Sequence, residues 1–207
     1  EDAESTAALI DAPERESVLL PGDLTDEDTA RHVVRDAHDP LGGLDILVLN
    51  SAYQKQREEN AQIPTDEFDR VMRTNLYAPF WMAREALPLM PPGSSVIVTT
   101  SIQGFSPSPA LLDYAMTKAA LVAFVQALAS EQGEKGIRVN GVAPGPIWTP
   151  LIPATGWPDN VPNFGSGSPL GRPGQPAELA GAYVYLASED ASYTSGAILG
   201  VTGGEHL

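Results

Sequence analysis

Tyr114 and Lys118 lie four residues apart in the segment LDYAMTK, and Lys118 is one of only three lysines in 207 residues. On a helix, that spacing puts phenol and ammonium on one face. A free phenol, with a pKa of ~10, is a poor base at neutral pH. A cation beside it favours the phenolate and makes tyrosine a usable proton donor and acceptor. The plainer alternative is a chance pairing on a helix surface. Ser101, at the end of an apolar run, carries a hydroxyl that could hold a substrate oxygen while charge develops there, or simply satisfy backbone at a strand end. Asn75 falls within a helical pattern although asparagine is a mediocre helix former. Its amide would hold an ordered water or distort the helix locally.

Positioning these side chains requires a frame, and the chain supplies an alternation of helical and strand-like stretches. EDAESTAALIDA has helical composition and leads into the strand-like SVLLPGDL. A helix is expected over 26–39, with Thr25 as its N-cap and Ala30, Val33, Val34 and Ala37 on its apolar face. The continuous apolar run at 45–49 reads as a strand buried on both sides of a parallel sheet. Residues 65–87 read as one long helix, with Phe68, Val71, Met72, Leu76 and Phe80 at helical intervals. PPGSSVIVTTS predicts a turn and a third strand, 113–132 another helix, and GIRVNGVAPG a fourth strand. A last helix is expected over 176–188, with Pro176 near its start, and GAILGVTGG as a fifth strand.

This order predicts an α/β domain, doubly wound around a mainly parallel sheet with helices on both faces. Chemistry in such sheets gathers beyond the carboxyl ends of the strands. Residues 50–53, 101–105 and 144–149 are therefore expected to converge. Residues 144–176 hold 9 of the 19 prolines, together with Trp148, Trp157 and Phe164. They are expected to form a surface excursion, a lid over the strand ends, within a single domain spanning 1–207.

Acidic residues outnumber basic ones by 27 to 12, for a formal charge of −15. Such a surface repels nucleic acid and anionic membranes, so neither is expected as a partner. Adaptation to high salt and an ordinary acidic surface both fit this balance. Cysteine is absent, which excludes disulfides, thiolate metal sites and cysteine nucleophiles and fits a reducing, cytoplasmic compartment. No metal site is expected. No uninterrupted apolar run approaches the ~18 residues of a membrane span.

Ser101, the Tyr-x-x-x-Lys of Tyr114 and Lys118, and Asn75 are accompanied by GDLTD at 22–26, GIRVNGVAPG at 136–145 and PGPIWT at 144–149. In this order, and over essentially the whole chain, they resemble the short-chain dehydrogenase/reductase family. The resemblance implies a Rossmann-like fold and hydride transfer between NAD or NADP and a small-molecule carbonyl or alcohol substrate. It implies Tyr114 as acid/base, Ser101 as the group that positions and polarises the substrate oxygen, and Lys118 as the cation that lowers the phenol's pKa and holds the nicotinamide ribose. Asn75 would hold a water linking Lys118 to solvent. Pro144, Gly145, Ile147 and Thr149 match the stretch that orients the nicotinamide amide, and Asp23 and Leu24 the pair beside the adenine. Asn50 is kept from a family turn that here reads Leu49-Asn50-Ser51-Ala52. Tyr53, Gln103, Phe105, Trp148 and Trp157 are candidates to line a substrate pocket, with ordinary packing as the alternative for each aromatic. A homodimer or homotetramer built on helices 65–87 and 113–132 is also implied.

The family's glycine-rich turn, which cradles a pyrophosphate against a helix N-terminus, does not occur in this sequence. In the doubly wound strand order, two absent strands would lie between the first and second strands visible here, a gap of roughly 14 Å. One expectation is that these residues are the ordered part of a longer dehydrogenase. The other is a truncated relative that serves as a non-catalytic scaffold or regulator. Retention of Ser101, Tyr114, Lys118 and Asn75 favours the first, since a scaffold has no chemical need for all four.

Overall fold

The computed structural model describes residues 2–155 and 161–207. Short runs rich in valine and isoleucine form the strands β1 (Ile46–Leu49), β2 (Ser95–Thr99), β3 (Arg138–Pro144) and β4 (Ile198–Val201). All pairings among them are parallel, in the order β1-β2-β3-β4. Parallel neighbours require crossovers, and helices supply them: α3 (Thr65–Met72) and α4 (Ala78–Ala86) between β1 and β2, α5 (Leu112–Gln132) between β2 and β3, and α7 (Pro176–Ala187) between β3 and β4. Helices α1 (Asp2–Ile10) and α2 (Glu27–Leu41) precede the sheet, and the short α6 (Leu151–Ala154) follows β3.

Alternation along β2 divides the core between two faces. Val96 and Val98 point into a cluster with Val34 of α2, Ala83 and Ala86 of α4, and Leu121, Val125 and Leu128 of α5. Ile97 points the other way, against Val142 and Leu186 of α7. Helices thus cover both faces of β2 and β3, the doubly wound arrangement expected from the sequence. On β1 only one face is covered: Leu47 and Leu49 are buried, while Ile46 and Val48 remain 47% and 43% exposed.

Three expectations need correction. The stretch 17–24 is not a strand. Strand geometry is held by a ladder, and among the described residues this stretch has no partner, because β1 pairs only with β2. The N-cap of α2 is Asp26, not Thr25: Asp26 Oδ1 accepts from the Thr29 N–H at 2.8 Å, while the Thr25 N–H is taken by Asp23 at 3.0 Å. The Asp26 carboxylate accepts from the Thr29 hydroxyl as well as its N–H, and it suits the positive end of the helix dipole. The long helix 65–87 is interrupted by a π-turn, Arg73–Tyr77, between α3 and α4. The stretch Pro109–Lys135, which includes α5, has the length and mean hydropathy (1.4) of a membrane span, yet half of that apolar window is buried and α5 packs on β3.

Leu121 is the point where α5 meets the sheet, 2% exposed. Leu121→Ala should cost about 2–5 kcal/mol of unfolding free energy through lost contacts and a residual cavity, read as a lower midpoint in urea with unchanged slope.

Candidate active site

Ser101, Tyr114, Lys118 and Asn50 line one cavity of about 710 Å³ at the carboxyl ends of the strands, together with Pro144, Gly145, Ile147 and Thr149 after β3. The convergence of the three strand-end loops is therefore as expected. Each residue is carried by a different local device. Ser101 caps the 3-10 turn Ile102–Gly104, its Oγ accepting from the Gln103 N–H at 3.2 Å. That turn lies directly on α5: a Cβ at Gly104 would come within 2.9 Å of the Lys118 backbone, closer than real Cβ atoms approach. Gly104 thereby lets the Ser101 loop reach the helix bearing Tyr114 and Lys118. The Ser101 hydroxyl, its oxygen accepting from Gln103, lies beside the Tyr114 phenol and favours its ionised form.

Lys118 is among the most deeply buried side chains, 1% exposed, and its Nζ donates to the Thr99 carbonyl at 2.7 Å, 5.4 Å from the centroid of the Tyr114 ring. Tyr114 itself is 8% exposed. Burial acts on the two groups in opposite directions, since it penalises the charged form of each. The Tyr114 phenol is pushed up to about 12 by burial, with the Ser101 hydrogen bond pulling the other way. Lys118 is pushed down to about 7 by burial. The expectation that Lys118 lowers the phenol's pKa is thus not met in this state: burial raises it, Ser101 is the group that opposes the rise, and a lysine near 7 is only partly charged at neutral pH.

Asn75 sits in the π-turn, fully buried, with its amide spent inside the protein. Its Oδ1 accepts from the Tyr53 N–H at 2.7 Å, and its Nδ2 donates to the Tyr53 carbonyl at 2.8 Å and to Thr117 Oγ1 at 3.2 Å. Of the two roles expected for the side chain, local distortion accompanies it here; the amide is not left to hold a water. A π-turn shifts the helical ladder by one residue and disturbs its backbone acceptors, so any water held here would meet main chain.

Asn50 Oδ1 accepts from Thr99 Oγ1 at 2.8 Å, and that hydroxyl in turn takes the Tyr183 phenol proton at 2.6 Å. Gly145 is required by close packing: a Cβ there would lie 2.7 Å from the Thr202 carbonyl oxygen. The base of the 144–176 excursion is pinned by Gly174 N–H to Pro146 O and Trp148 N–H to Gly174 O, both 2.9 Å. Asp23 and Leu24 do not reach the cavity. They belong to the unpaired stretch, and the Asp23 carboxylate serves its own turn through Thr25, which holds its pKa below the usual value.

Among the candidate substrate residues that are described, only Gln103 lines the cavity. The Tyr53 ring lies under the Arg70 guanidinium at 4.2 Å, near Glu67, and is absent from the cavity lining. Phe105 follows the tight 3-10 turn and is 38% exposed. Trp148 packs on Phe164, ring centroids 6.0 Å apart, outside the lining. Trp157 lies outside the described residues. Sequence reasoning missed Gln54, Leu111, Thr155 and Phe164, all of which line the cavity. Phe164 stood out in the sequence only as an aromatic of the proline-rich segment, and nothing there marks the other three.

A family model described as enoyl-(acyl carrier protein) reductase matches residues 1–206. The oxidoreductase YghA of Escherichia coli (strain K12), described as uncharacterized, is 50% identical over 208 residues, covering 100% of this chain and 71% of the relative. The chain belongs to the short-chain dehydrogenase/reductase family. A glucose and ribitol dehydrogenase homolog of Oryza sativa subsp. japonica is 46% identical, covering 98% of this chain and 72% of the relative. A short-chain dehydrogenase from Burkholderia cenocepacia J2315, solved in complex with NADP, superposes with a TM-score of 0.89 at 27% identity, over 98% of this chain and 82% of that one. The chain is therefore an oxidoreductase with a Rossmann-like fold.

The cavity fits the ribose end of a nicotinamide cofactor on its own chemistry. Lys118 Nζ has three N–H donors and, among the described residues, one hydrogen-bond acceptor. Two donors on a buried ammonium beside a cavity call for hydroxyl or carbonyl oxygens.

The Lys118 shift has a thermodynamic consequence. Its folded pKa lies below the ~10.5 of the unfolded chain, so the unfolded state binds more protons between pH 7 and 10 and stability must rise with pH there. The penalty of burying the ammonium is full below pH 7 and fades above it. Urea unfolding from pH 7 to 9.5 should show wild type gaining up to about 1.4 kcal/mol per pH unit relative to Lys118→Met, which lacks this term. Parallel curves would show that Lys118 stays fully charged when buried.

Proposed function

We propose that the protein transfers a hydride between a nicotinamide cofactor and a carbonyl or alcohol, with Tyr114 as the acid/base. The observation that carries this is the gathering of three groups in one cavity: the Ser101 hydroxyl beside the Tyr114 phenol, with the Lys118 ammonium over the phenol ring. When bound, the cofactor supplies or accepts the hydride, the step that side chains cannot perform. The name of the rice relative, which pairs a sugar with a polyol, supports the carbonyl and alcohol class. The NADP in the Burkholderia structure supports a nicotinamide cofactor, and NADP in particular.

Lys118 would hold the ribose with its two spare donors. Asn50 and the backbone around Gly145 to Thr149 would flank the nicotinamide. Acceptors placed on Lys118 favour its charged form, so cofactor binding would raise the lysine's pKa and restore the cation that stabilises phenolate. In reduction, Ser101 donates a hydrogen bond to the substrate carbonyl oxygen. Tyr114 gives that oxygen its proton as the hydride reaches the carbon, leaving phenolate beside Lys118. In oxidation the same proton returns to Tyr114. Reprotonation from solvent would pass Lys118 and a water held by the main chain of the Asn75 π-turn.

The excursion 144–176 would act as a lid, since its residues Leu151, Ile152, Thr155 and Phe164 face the reacting groups across the cavity. Exposed Tyr77 beside α4, Phe80 on α4 and Met116 on α5 support a homodimer or homotetramer through those helices. A cytoplasmic site of action accords with the cysteine-free composition. The gathering of Ser101, Tyr114 and Lys118 in one cavity weighs against the scaffold alternative, since a scaffold has no chemical need for it.

Tyr114→Phe should lower turnover by about 10²–10⁴-fold while NADPH fluorescence titration still shows binding. Wild-type alcohol oxidation should rise with pH as the phenol ionises. Turnover retained by the folded phenylalanine variant would overturn the assignment.

A further inference from the structure

Two glutamines in the cavity have amides whose orientation is dictated by their neighbours. Gln54 Nε2 donates to Thr155 Oγ1 at 3.0 Å, joining the loop after β1 to the end of α6, and both residues are buried. The Thr155 hydroxyl has one proton, and it is committed: Oγ1 lies 2.5 Å from the Leu151 carbonyl, which can only accept. Thr155 can therefore only accept from Gln54, so the amide must present its N–H to the threonine and turn its carbonyl oxygen away. That Oε1 has no hydrogen-bond partner among the described residues, and Gln54 lines the cavity.

Gln103 is fixed in the opposite sense. Its Oε1 accepts from the Ser108 backbone N–H at 2.7 Å, and a backbone N–H can only donate. Its Nε2 is left as the free donor, on a cavity residue whose own N–H holds Ser101 Oγ. Two residues lining the cavity therefore carry, on Gln54, an acceptor that cannot become a donor and, on Gln103, a donor that cannot become an acceptor.

We infer that Gln54 and Gln103 form a specificity pair that reads a hydroxyl near the reacting carbon, so that the substrates are hydroxylated carbonyls and the corresponding polyols. This rests on the hydride-transfer reading above. A hydroxyl is the common group that donates to Gln54 and accepts from Gln103 at once. An alkyl group in the same place would leave both amides desolvated without partners, the situation in which polar sites reject apolar analogues most strongly. The Gln54–Thr155 bond, reinforced by Gln56 N–H to Thr155 O at 3.3 Å, also makes Gln54 the fastening of α6 over the cavity. The same side chain thus reads the substrate and holds the segment that covers it.

The test uses two pairs of carbonyls matched in heavy-atom count: hydroxyacetone against butan-2-one, and glycolaldehyde against propanal, with NADPH. The expected kcat/KM ratio within each pair is at least about tenfold in favour of the hydroxylated member. Gln54→Leu should bring the ratio towards one, and Thr155→Val, which frees the amide to rotate, should lower it by a smaller factor. A substitution that only weakened the fold would lower both members together and leave the ratio alone. A wild-type ratio near one overturns the inference whether or not the variants fold. If wild type reduces no carbonyl, that failure belongs to the hydride-transfer reading. Saturation-transfer NMR of ribitol against pentan-1-ol then decides this one, and equal signals for the two overturn it.

Discussion

A lysine withdrawn from water at the end of β2 is the constraint on which the site depends. Removing an ammonium from solvent costs several kcal/mol unless acceptors replace the water. Here the principal acceptor is the Thr99 carbonyl, the last residue of β2, so the charge ties α5 to the strand's carboxyl end. The remaining contacts accommodate that tie. Gly104 lets the Ser101 turn lie against the Lys118 backbone, and Thr117, the preceding residue, receives the Asn75 amide while donating to the Tyr114 carbonyl. The depressed lysine and the elevated tyrosine follow from the same burial, and both are left poised for an added set of oxygen ligands.

The parallel sheet brings the other partners to this point. Its strands all run the same way, so their carboxyl ends open on one side, and Asn50, Thr99, Ser101 and Gly145 emerge there together. A chain of hydrogen bonds from Asn50 through Thr99 to Tyr183 of α7 crosses from one side of the strand ends to the other. The π-turn at Asn75 belongs to the same design: a regular helix would have placed its amide elsewhere, and the distortion accompanies a reciprocal bond to the Tyr53 backbone. That bond holds the loop carrying Gln54, so Asn75 ties both this loop and Thr117 of α5 to the π-turn.

The helices and the four paired strands were legible in the sequence because each rests on a local pattern. The apolar period of α2, the run VIVTT of β2 and the alanine-rich α5 need no distant partner to be recognised. The Tyr114–Lys118 spacing and the strand-end serine were legible for the same reason, since a turn of helix and a strand terminus are local facts. The stretch 17–24 shows the opposite case. Its composition is strand-like, but a strand exists only through its ladder, and no ladder partner for it is present among the described residues. The N-cap moved by one residue because Asp23 takes the Thr25 N–H into its own turn while Asp26 reaches the Thr29 N–H, an arrangement set by backbone geometry rather than by residue type.

By itself the sequence determined the α/β class, the order of the elements and the placing of Tyr114 and Lys118 one helical turn apart, since these follow from periodicity and short-range spacing. Only the tertiary structure decided which of them meet and in what state. It sent Tyr53, Phe105 and Trp148 away from the cavity and brought in Gln54 and Thr155, which are 101 positions apart. It also set the lysine near 7 and the tyrosine near 12, because a pKa depends on how much water the fold removes. It fixed the direction of two amides, because a glutamine carries donor and acceptor alike and only its neighbours choose between them.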